Sequence, residues 1–393
     1  LQSSCKTCPR GYYCPNAATE TPTLCDAGYY CPTGTSNKID CSEGTYNPLQ
    51  GRWESTQCIS CPPGKYCEGT ANTAPDGDCN GGYYCTQGAV KADPDNSAQG
   101  AVCPKGHFCP AGSVEPVKCT PGKYCETTGL AAVTGNCDEG YYCKEGASTK
   151  RPRDGLTGDI CPSGYYCEEG SEMPTPCAPG TYQGAQGKAK LSDCADCPAG
   201  FYCKDRAGTS VTSVCAAGYY CEVGEVTDKP LTKICRAGYY CPSNSASEKE
   251  CPAGKYQDQI GQDSCKNCPP GFYCDTNTVT PTLCPAGYKC PEGSSSGTKV
   301  KCQNGEYQPF TGQSSCLECP YGYYCGPGAI TTPVICPAEK YCETGTSQPA
   351  TNCPPGTYTD KTGLQDKKQC MACPPGKYCQ NGSIQGDCKA GFY

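Results

Sequence analysis

A short cysteine motif recurs along the whole chain. It consists of Cys, two residues, Gly, one residue and an aromatic residue, and it occurs 22 times between CPRGYYC at Cys8 and CKAGFY at Cys388, about every 18 residues. The fourth position is Gly in 21 copies, Glu339 being the exception, and the sixth is Tyr or Phe in 21 copies, Lys289 being the exception. Such a period indicates a repeat architecture, in which each unit packs mainly on its neighbours in sequence.

The composition explains why these repeats need cross-links. Leu, Val, Ile and Phe together make up only 35 of the 393 residues. A chain with a conventional core has these four residue types at roughly 20% of its positions or more. With 44 Cys, 49 Gly and 37 Pro, the chain has the composition of a disulfide scaffold and disfavours long helices and wide sheets. We therefore predict small disulfide-rich repeats of short β-hairpins and turns that form an elongated rod, with almost no helix and no conventional hydrophobic core.

The copies are of two kinds. Sixteen closed copies end in a second Cys directly after the aromatic position, as Cys25 and Cys31 illustrate. Six open copies lack that second Cys, and the first five of them lead through a polar loop to a Cys-x2-Cys pair. The cysteines that begin these five copies, each followed by the first Cys of its pair, are Cys41 and Cys58, Cys177 and Cys194, Cys251 and Cys265, Cys302 and Cys316, and Cys353 and Cys370.

Parity favours bridges within each copy. Crossed pairing between neighbouring closed copies would strand two cysteines in the three-copy block at Cys197, Cys215 and Cys235. Bridging each closed copy internally, and each open copy to its following pair, gives 21 bridges and leaves Cys5 and Cys388 for partners outside this stretch. A staggered pattern that joins the end of one copy to the start of the next remains open, because spacing alone does not determine connectivity.

The Cys-x2-Cys pairs divide the chain into blocks. We predict repeat blocks at residues 1–57, 58–193, 194–264, 265–315 and 316–369, followed by a partial block at 370–393. The opening LQSSCKTCP matches GQSSCLECP around Cys316, and Tyr393 stops one position before an expected Cys. We interpret the sequence as a window of a longer repeat array.

Local chemistry suggests how one copy folds. Pro directly after the Cys suits the second position of a type I turn, and Gly two residues later suits the fourth. The aromatic ring should then cover the disulfide, with the hydroxyls of the 30 Tyr reaching water.

Charge and cysteine content indicate the compartment. The formal charge is −7 and the charges are scattered, so the chain lacks the clustered basic face that nucleic acid requires. No stretch approaches the roughly 18 apolar residues of a membrane span. Cysteines at this density form a framework only on an oxidising secretory route, so we expect an extracellular or cell-surface protein.

Catalysis, cofactors and metals are not expected. The chain has a single His, His107, in CPKGHFC, and we interpret it as a turn-surface residue. The Cys-x2-Cys pairs could suggest zinc or redox chemistry, but the regular Gly and Tyr are explained by turns. We expect no catalytic residue, no metal ligand and no bound cofactor.

Several surface positions are candidates for glycans or contacts. Asn381-Gly382-Ser383 fits the N-glycosylation acceptor, which makes Asn381 the N-glycan candidate. Threonines beside proline in the linkers are O-glycan candidates, namely Thr21, Thr23, Thr175, Thr280, Thr282 and Thr332. Trp53, the only Trp, is the best candidate for a contact with a sugar or a neighbouring subunit.

One unit carries a family resemblance. The segment CPPGTYTDKTGLQDKKQCMACPPGKYC from Cys353 to Cys379 resembles the ephrin-receptor-like cysteine-rich repeat, a relative of tumour-necrosis-factor-receptor modules that is abundant in surface and secreted proteins of protists. The resemblance implies an extended, disulfide-laddered ectodomain without catalytic residues. The runs of closed copies depart from the spacing that is usual in that family.

These observations favour a structural role. We expect a glycosylated component of an extracellular fibre, surface coat or flagellar appendage such as a mastigoneme, which associates with itself or with other matrix proteins. The alternative is the stalk of a receptor or adhesin that presents a distal binding domain.

Overall fold

The structure, a computed structural model, describes residues 5–211, 213–295, 300–348 and 351–393. It divides into two units, one comprising Leu1–Asp196 with Asp205–Ser210 and the other Cys197–Lys204 with Val211–Tyr393. Both units are built from the same local element, a tight turn followed by a two-stranded hairpin.

The turn begins one residue later than the sequence suggested. In the copy that begins at Cys25, the backbone N–H of Tyr29 donates to the carbonyl of Asp26 at 3.3 Å, so the turn spans positions two to five. Gly28 is its third residue and has a φ of +86°, which fits a type II turn, a geometry that requires positive φ at that position. The expected type I turn starting at the Cys is therefore wrong, because the positive φ of the Gly suits the third position.

The strands of each hairpin come from fixed places in the repeat. The first strand is formed by positions five and six, and the second by the residues just before the next copy's first Cys. In the first unit, for example, Tyr29 pairs with Asp40 and Tyr30 with Ile39, antiparallel. The part of the chain that is described contains 20 such two-stranded sheets, and an isolated bridge between Tyr219 and Ile234 takes the same place in one further copy.

In the first unit the strands are β1 (Tyr12–Tyr13), β2 (Thr23–Leu24), β3 (Tyr29–Tyr30), β4 (Ile39–Asp40), β5 (Thr45–Tyr46), β6 (Ile59–Ser60), β7 (Lys65–Tyr66), β8 (Gly77–Asp78), β9 (Tyr83–Cys85), β10 (Gly100–Val102), β11 (His107–Phe108), β12 (Val117–Lys118), β13 (Lys123–Tyr124), β14 (Gly135–Asn136), β15 (Tyr141–Cys143), β16 (Gly158–Ile160), β17 (Tyr165–Tyr166), β18 (Thr175–Pro176), β19 (Thr181–Tyr182) and β20 (Ala195–Asp196). In the second unit they are β21 (Phe201–Tyr202), β22 (Ser213–Val214), β23 (Tyr239–Tyr240), β24 (Lys249–Glu250), β25 (Lys255–Tyr256), β26 (Lys266–Asn267), β27 (Phe272–Tyr273), β28 (Thr282–Leu283), β29 (Tyr288–Lys289), β30 (Val300–Lys301), β31 (Glu306–Tyr307), β32 (Leu317–Glu318), β33 (Tyr323–Tyr324), β34 (Val334–Ile335), β35 (Lys340–Tyr341), β36 (Thr351–Asn352), β37 (Thr357–Tyr358), β38 (Met371–Ala372), β39 (Lys377–Gln380) and β40 (Ser383–Asp387).

Helix is confined to single 3-10 turns in the described ranges. These turns are Ser55–Gln57, Leu191–Asp193 and Lys367–Gln369. Each lies in an open-copy loop whose bridged cysteines are 17 residues apart. The turn ends directly before the second Cys of the bridge, and so it absorbs the extra length of these loops.

Buried sulphur takes the place of an aliphatic core. Nearly all of the buried apolar side chains among the described residues are cysteines, joined by Ala89, Ala147, Leu364 and the prolines Pro94, Pro152 and Pro230. The structure has 21 disulfides, 16 within closed copies and five from an open copy to its following pair. The prediction of small disulfide-rich tandem repeats with short hairpins and almost no helix is confirmed.

The aromatic at position six covers the bridge of the following copy. Tyr66 packs against the buried pair Cys79 and Cys85, and Tyr124 packs in the same way on the next copy's bridge. From the sequence we expected the ring to cover the disulfide closed by the Cys beside it, whereas these rings pack on the disulfide of the next copy. Because the ring reaches forward, each aromatic joins two copies.

Backbone hydrogen bonds join successive copies within each unit. Gly28 donates to the carbonyl of Asn47 at 2.8 Å and accepts from the N–H of Cys41 at 2.9 Å, both in the next copy. The linker residue Gly51 of that next copy donates back to the carbonyl of Cys25 at 2.8 Å. Burying a backbone group without a partner is costly, so this set of bonds determines how neighbouring copies dock.

Candidate functional site

The fourth-position residue of a copy also contacts the second copy along the chain. A Cβ added to Gly140 would lie 2.6 Å from the carbonyl oxygen of Gly187, two copies away. The same distance separates a Cβ on Gly11 from the carbonyl oxygen of Gly51. We call this contact, between the fourth-position residue of one copy and the linker or loop of the second copy along, the interlock. It explains physically why Gly recurs at this position, since any side chain would collide with backbone.

The exception at position four is accommodated by its partner. Glu339 has a φ of +72°, and its N–H donates to the carbonyl of Thr359 at 3.0 Å as a Gly would. Its interlock partner is Gly382, which lies so close to the Glu339 carbonyl that an added Cβ would collide with it. A non-Gly residue held at positive φ is strained, so this interlock carries a backbone cost at its fourth position, whereas in the interlocks of Gly28 and Gly164 the partners Ala71 and Ala207 carry it.

Open copies carry a buried polar side chain where closed copies carry their second Cys. These residues are Asn47, Gln183, Gln257, Gln308 and Thr359, all buried. The side-chain amide of Gln257 donates to the carbonyl of Ser264 at 2.8 Å and accepts from the N–H of Gln259 at 3.1 Å. Gln308 makes the same pair of bonds, to Ser315 and from Phe310. The side-chain amide therefore holds the start of the polar loop, and the disulfide bridge of the open copy closes the loop at its end.

This role was not predicted from the sequence. The signal was available, because the seventh position of the five internal open copies is occupied only by Asn, Gln or Thr. Each of these side chains offers a hydrogen-bonding group of short or moderate reach.

A groove lies beside the interlock and differs from copy to copy. In the first copy the third-position residue Arg10 places its guanidinium 4.9 Å from the centre of the Trp53 ring, in the loop two copies on. Trp53 is half-buried, and its backbone N–H donates to the side-chain oxygen of Gln57 at 2.8 Å. One face of the proposed contact residue is thus occupied by Arg10.

The corresponding groove near the end of the chain is open. A cleft of about 420 Å³ is lined by Tyr321, Glu343, Thr344, Gln365 and Asp366. Tyr321 is 58% exposed.

The glycan candidates lie on the surface. Asn381 is exposed at the tip of the β39–β40 hairpin, with φ +53° and Gly382 at φ +81°, as in a type I′ turn. The six candidate threonines are exposed as well: Thr21, Thr23, Thr175, Thr280, Thr282 and Thr332. Their modification stays a prediction.

The two cysteines left over by the sequence analysis are unbridged. Cys5 is exposed and Cys388 is partly buried. Cys5 lines a cavity of about 750 Å³ together with Cys8 and Cys14.

Charged side chains act locally. Two backbone N–H groups, of Lys190 and Ala189, donate to the Asp193 carboxylate and hold its pKa below the ordinary value. In the second unit, Lys233 donates a hydrogen bond to the Glu222 carboxylate, which raises the pKa of Lys233, and Lys233 also pairs with Glu225. Each of these contacts joins residues of a single copy.

Other chemistry is sparse in the described ranges. The Nδ1 atom of His107 lies 3.2 Å from the carbonyl oxygen of Lys105. Within those ranges, no group of three or more His, Cys, Asp or Glu side chains is placed to hold a metal ion. No helix there is long and apolar enough to cross a membrane.

One known protein is similar to part of this chain. No family model matches the chain. A protein of Penicillium crustosum named ABC-type transporter claG is 32% identical over 118 residues. That match covers 29% of this chain and 11% of the relative, so the chain spans about a tenth of the length of the curated relative it matches. The particular resemblance to ephrin-receptor-like repeats remains a prediction.

Proposed function

We propose that the chain is a structural, non-catalytic component of an extracellular fibre, surface coat or flagellar appendage. The observation that carries the proposal is the combination of a bridge in each copy with an interlock that reaches the second copy along. Disulfides confine each copy in the unfolded ensemble, each contributing about 2–3 kcal/mol for loops of this length.

The many bridges support the compartment in this proposal, since disulfides persist in oxidising environments. They indicate an extracellular or secreted protein. Linkers that expose threonine beside proline suit a glycan-bearing surface.

A second function, the stalk of a receptor or adhesin, is supported by one observation. The partial relative is by its name a transporter, so a segment similar to part of this chain occurs in a protein whose name implies a membrane. In a stalk, the disulfide bridges and the interlocks would hold a binding domain away from the cell surface.

Immunogold electron microscopy of native material, with an antibody raised against residues 1–393, tests the first function. We expect label along filaments or a continuous coat, with an axial repeat. Label confined to the plasma membrane, together with extraction of the protein by detergent alone, would favour the stalk and contradict the fibre.

Mass spectrometry of the same material tests the glycans. A peptide containing Asn381 should gain mass that an N-glycosidase removes, and an Asn381→Gln variant expressed by secretion should lack that mass. An unmodified Asn381 in secreted wild-type protein would remove the N-glycan from the proposal.

A further inference from the structure

The open cleft at Tyr321 occupies the same place in the repeat as the filled groove at Trp53. Arg10 and Tyr321 are both third-position residues, each directly before an interlock Gly. Gly11 meets Gly51, and Gly322 meets Gly363, each with a Cβ-to-oxygen distance of 2.6 Å. Trp53 and Gln365 each lie two residues after the interlock partner.

The filled groove shows what this place binds. There, the third-position residue supplies a cation and the loop two copies on supplies an aromatic ring, 4.9 Å apart. A guanidinium over an aromatic face is attracted by the ring quadrupole. The pair is internal, so that groove needs no partner.

In the open cleft the third-position residue supplies an aromatic ring instead of a cation, and the loop two copies on places no cation of the described residues over that ring. Tyr321 supplies the ring from the third position and is 58% exposed, while Gln365 faces it without a charge. Among the residues that the structure describes, cations lie over the rings of Trp53, Tyr29, Tyr141, Tyr142, Tyr239 and Tyr256, and none lies over Tyr321.

The charge of the cleft matches the missing group. Glu343 and Asp366 line it beside the ring, and neither carboxylate forms an ion pair with any described residue. Asp366 uses Oδ1 to accept from the N–H of Lys368 at 3.1 Å. Two carboxylates beside an aromatic face are complementary to a guanidinium or ammonium group.

We infer that the Tyr321 cleft binds a basic side chain, Arg or Lys, presented by a partner protein. The cation lies over the Tyr321 ring and its N–H groups donate to Glu343 and Asp366. The cleft, of about 420 Å³, lies toward the small end of ligand pockets, which suits one side chain. The inference is independent of whether the chain forms a fibre or a stalk.

A peptide titration tests the site. The intact chain is titrated with acetyl-Gly-Arg-Gly-amide, and the Tyr ring signals are followed by NMR. The Tyr321 signal should shift and saturate with this peptide, whereas the neutral citrulline analogue should leave it unchanged. Tyr321→Ala should weaken binding about two- to fivefold, the worth of an exposed cation–π contact, and the double variant Glu343→Gln/Asp366→Asn should weaken it further.

The matched control is Tyr378→Ala, which removes a similarly exposed ring, 50% accessible, from another copy and should leave binding unchanged. Equal binding of the citrulline peptide, or of the Arg peptide to the Tyr321→Ala variant, would overturn the inference. Binding of free guanidinium as tight as that of the peptide would contradict a protein partner and indicate a small-cation site.

A second variant tests the equivalence of the two grooves. Arg10→Ala uncovers the face of Trp53, the only tryptophan. The Arg peptide should then quench Trp53 fluorescence in this variant and leave it unchanged in the wild type. Absence of quenching in the Arg10→Ala variant would show that this place in the repeat does not bind cations.

Discussion

Replacing an interlock Gly by Ala tests how the copies hold together. In Gly140→Ala, the new Cβ would lie 2.6 Å from the carbonyl oxygen and 3.2 Å from the carbonyl carbon of Gly187, with Gly140 at φ +80°. Both contacting atoms are backbone, so relief requires the copies to separate. The control is Gly34→Ala, because Gly34 has a φ of +79° and, apart from its chain neighbours, no atom of the described residues lies within 4 Å of the added Cβ.

The two variants share one cost and differ in the other. Ala at positive φ costs about 1–2 kcal/mol in each, and overpacking adds about 1–3 kcal/mol in Gly140→Ala alone. Long repeat arrays are not two-state, so the suitable assay is native-state hydrogen exchange read peptide by peptide. Exchange should be monitored at the N–H groups of Gly140 and Gly187, which donate to the carbonyls of Cys167 and Cys161, each at 2.8 Å.

The difference between the variants is the informative quantity. The extra 1–3 kcal/mol corresponds to roughly a five- to 150-fold larger loss of protection in Gly140→Ala than in Gly34→Ala, at about 1.4 kcal/mol per factor of ten. Equal losses would refute the interlock, because both variants would then report only backbone strain.

Three further predictions concern individual copies. Glu339→Gly should stabilise its interlock by up to about 1 kcal/mol, since relief of positive-φ strain exceeds the entropy that Gly loses on folding; hydrogen exchange around Thr359 measures this, and faster exchange would contradict it. Gln257→Leu leaves the Ser264 carbonyl and the Gln259 N–H unpaired, at about 1–3 kcal/mol for each group, so the loop at 258–265 should exchange faster, whereas Gln259→Leu, with an exposed side chain, should change little. The pKa of Asp193 is lowered from 3.8, so its hydrogen bonds stabilise the loop above that pH, and this stability is lost as the pH falls through the pKa of the folded state. Hydrogen exchange at Ala189 and Lys190, corrected for the intrinsic rate, should therefore show a step below pH 3.8 that Asp193→Asn abolishes. An identical pH profile in that variant would contradict the assignment.

The sequence was informative about what happens inside one copy. The spacing from Cys25 to Cys31, the Gly at position four and the aromatic at position six predict a short cross-linked hairpin, because all three act over a few residues. The small aliphatic content predicts that sulphur fills the interior. Even at this scale the turn was placed one residue too early, since Pro suits more than one position in a turn.

Contacts between copies could not be predicted from the repeat. A period of about 18 residues shows that units recur but does not show how they dock. The interlock of Gly140 with Gly187 joins residues 47 apart, and the forward reach of Tyr66 depends on the docking angle. The Arg10–Trp53 pair and the Tyr321 cleft depend on the same docking of copies, which the repeat period does not specify.

The claim that bridges within each copy replace a packed core is tested most directly by non-reducing peptide mapping of residues 1–393 produced by secretion, after alkylation of free thiols in denaturant. We expect linked peptides for Cys25 with Cys31 and for Cys41 with Cys58, with alkylation confined to Cys5 and Cys388. Peptides that join the end of one copy to the start of the next, such as Cys31 with Cys41, or alkylation of many cysteines, would contradict it.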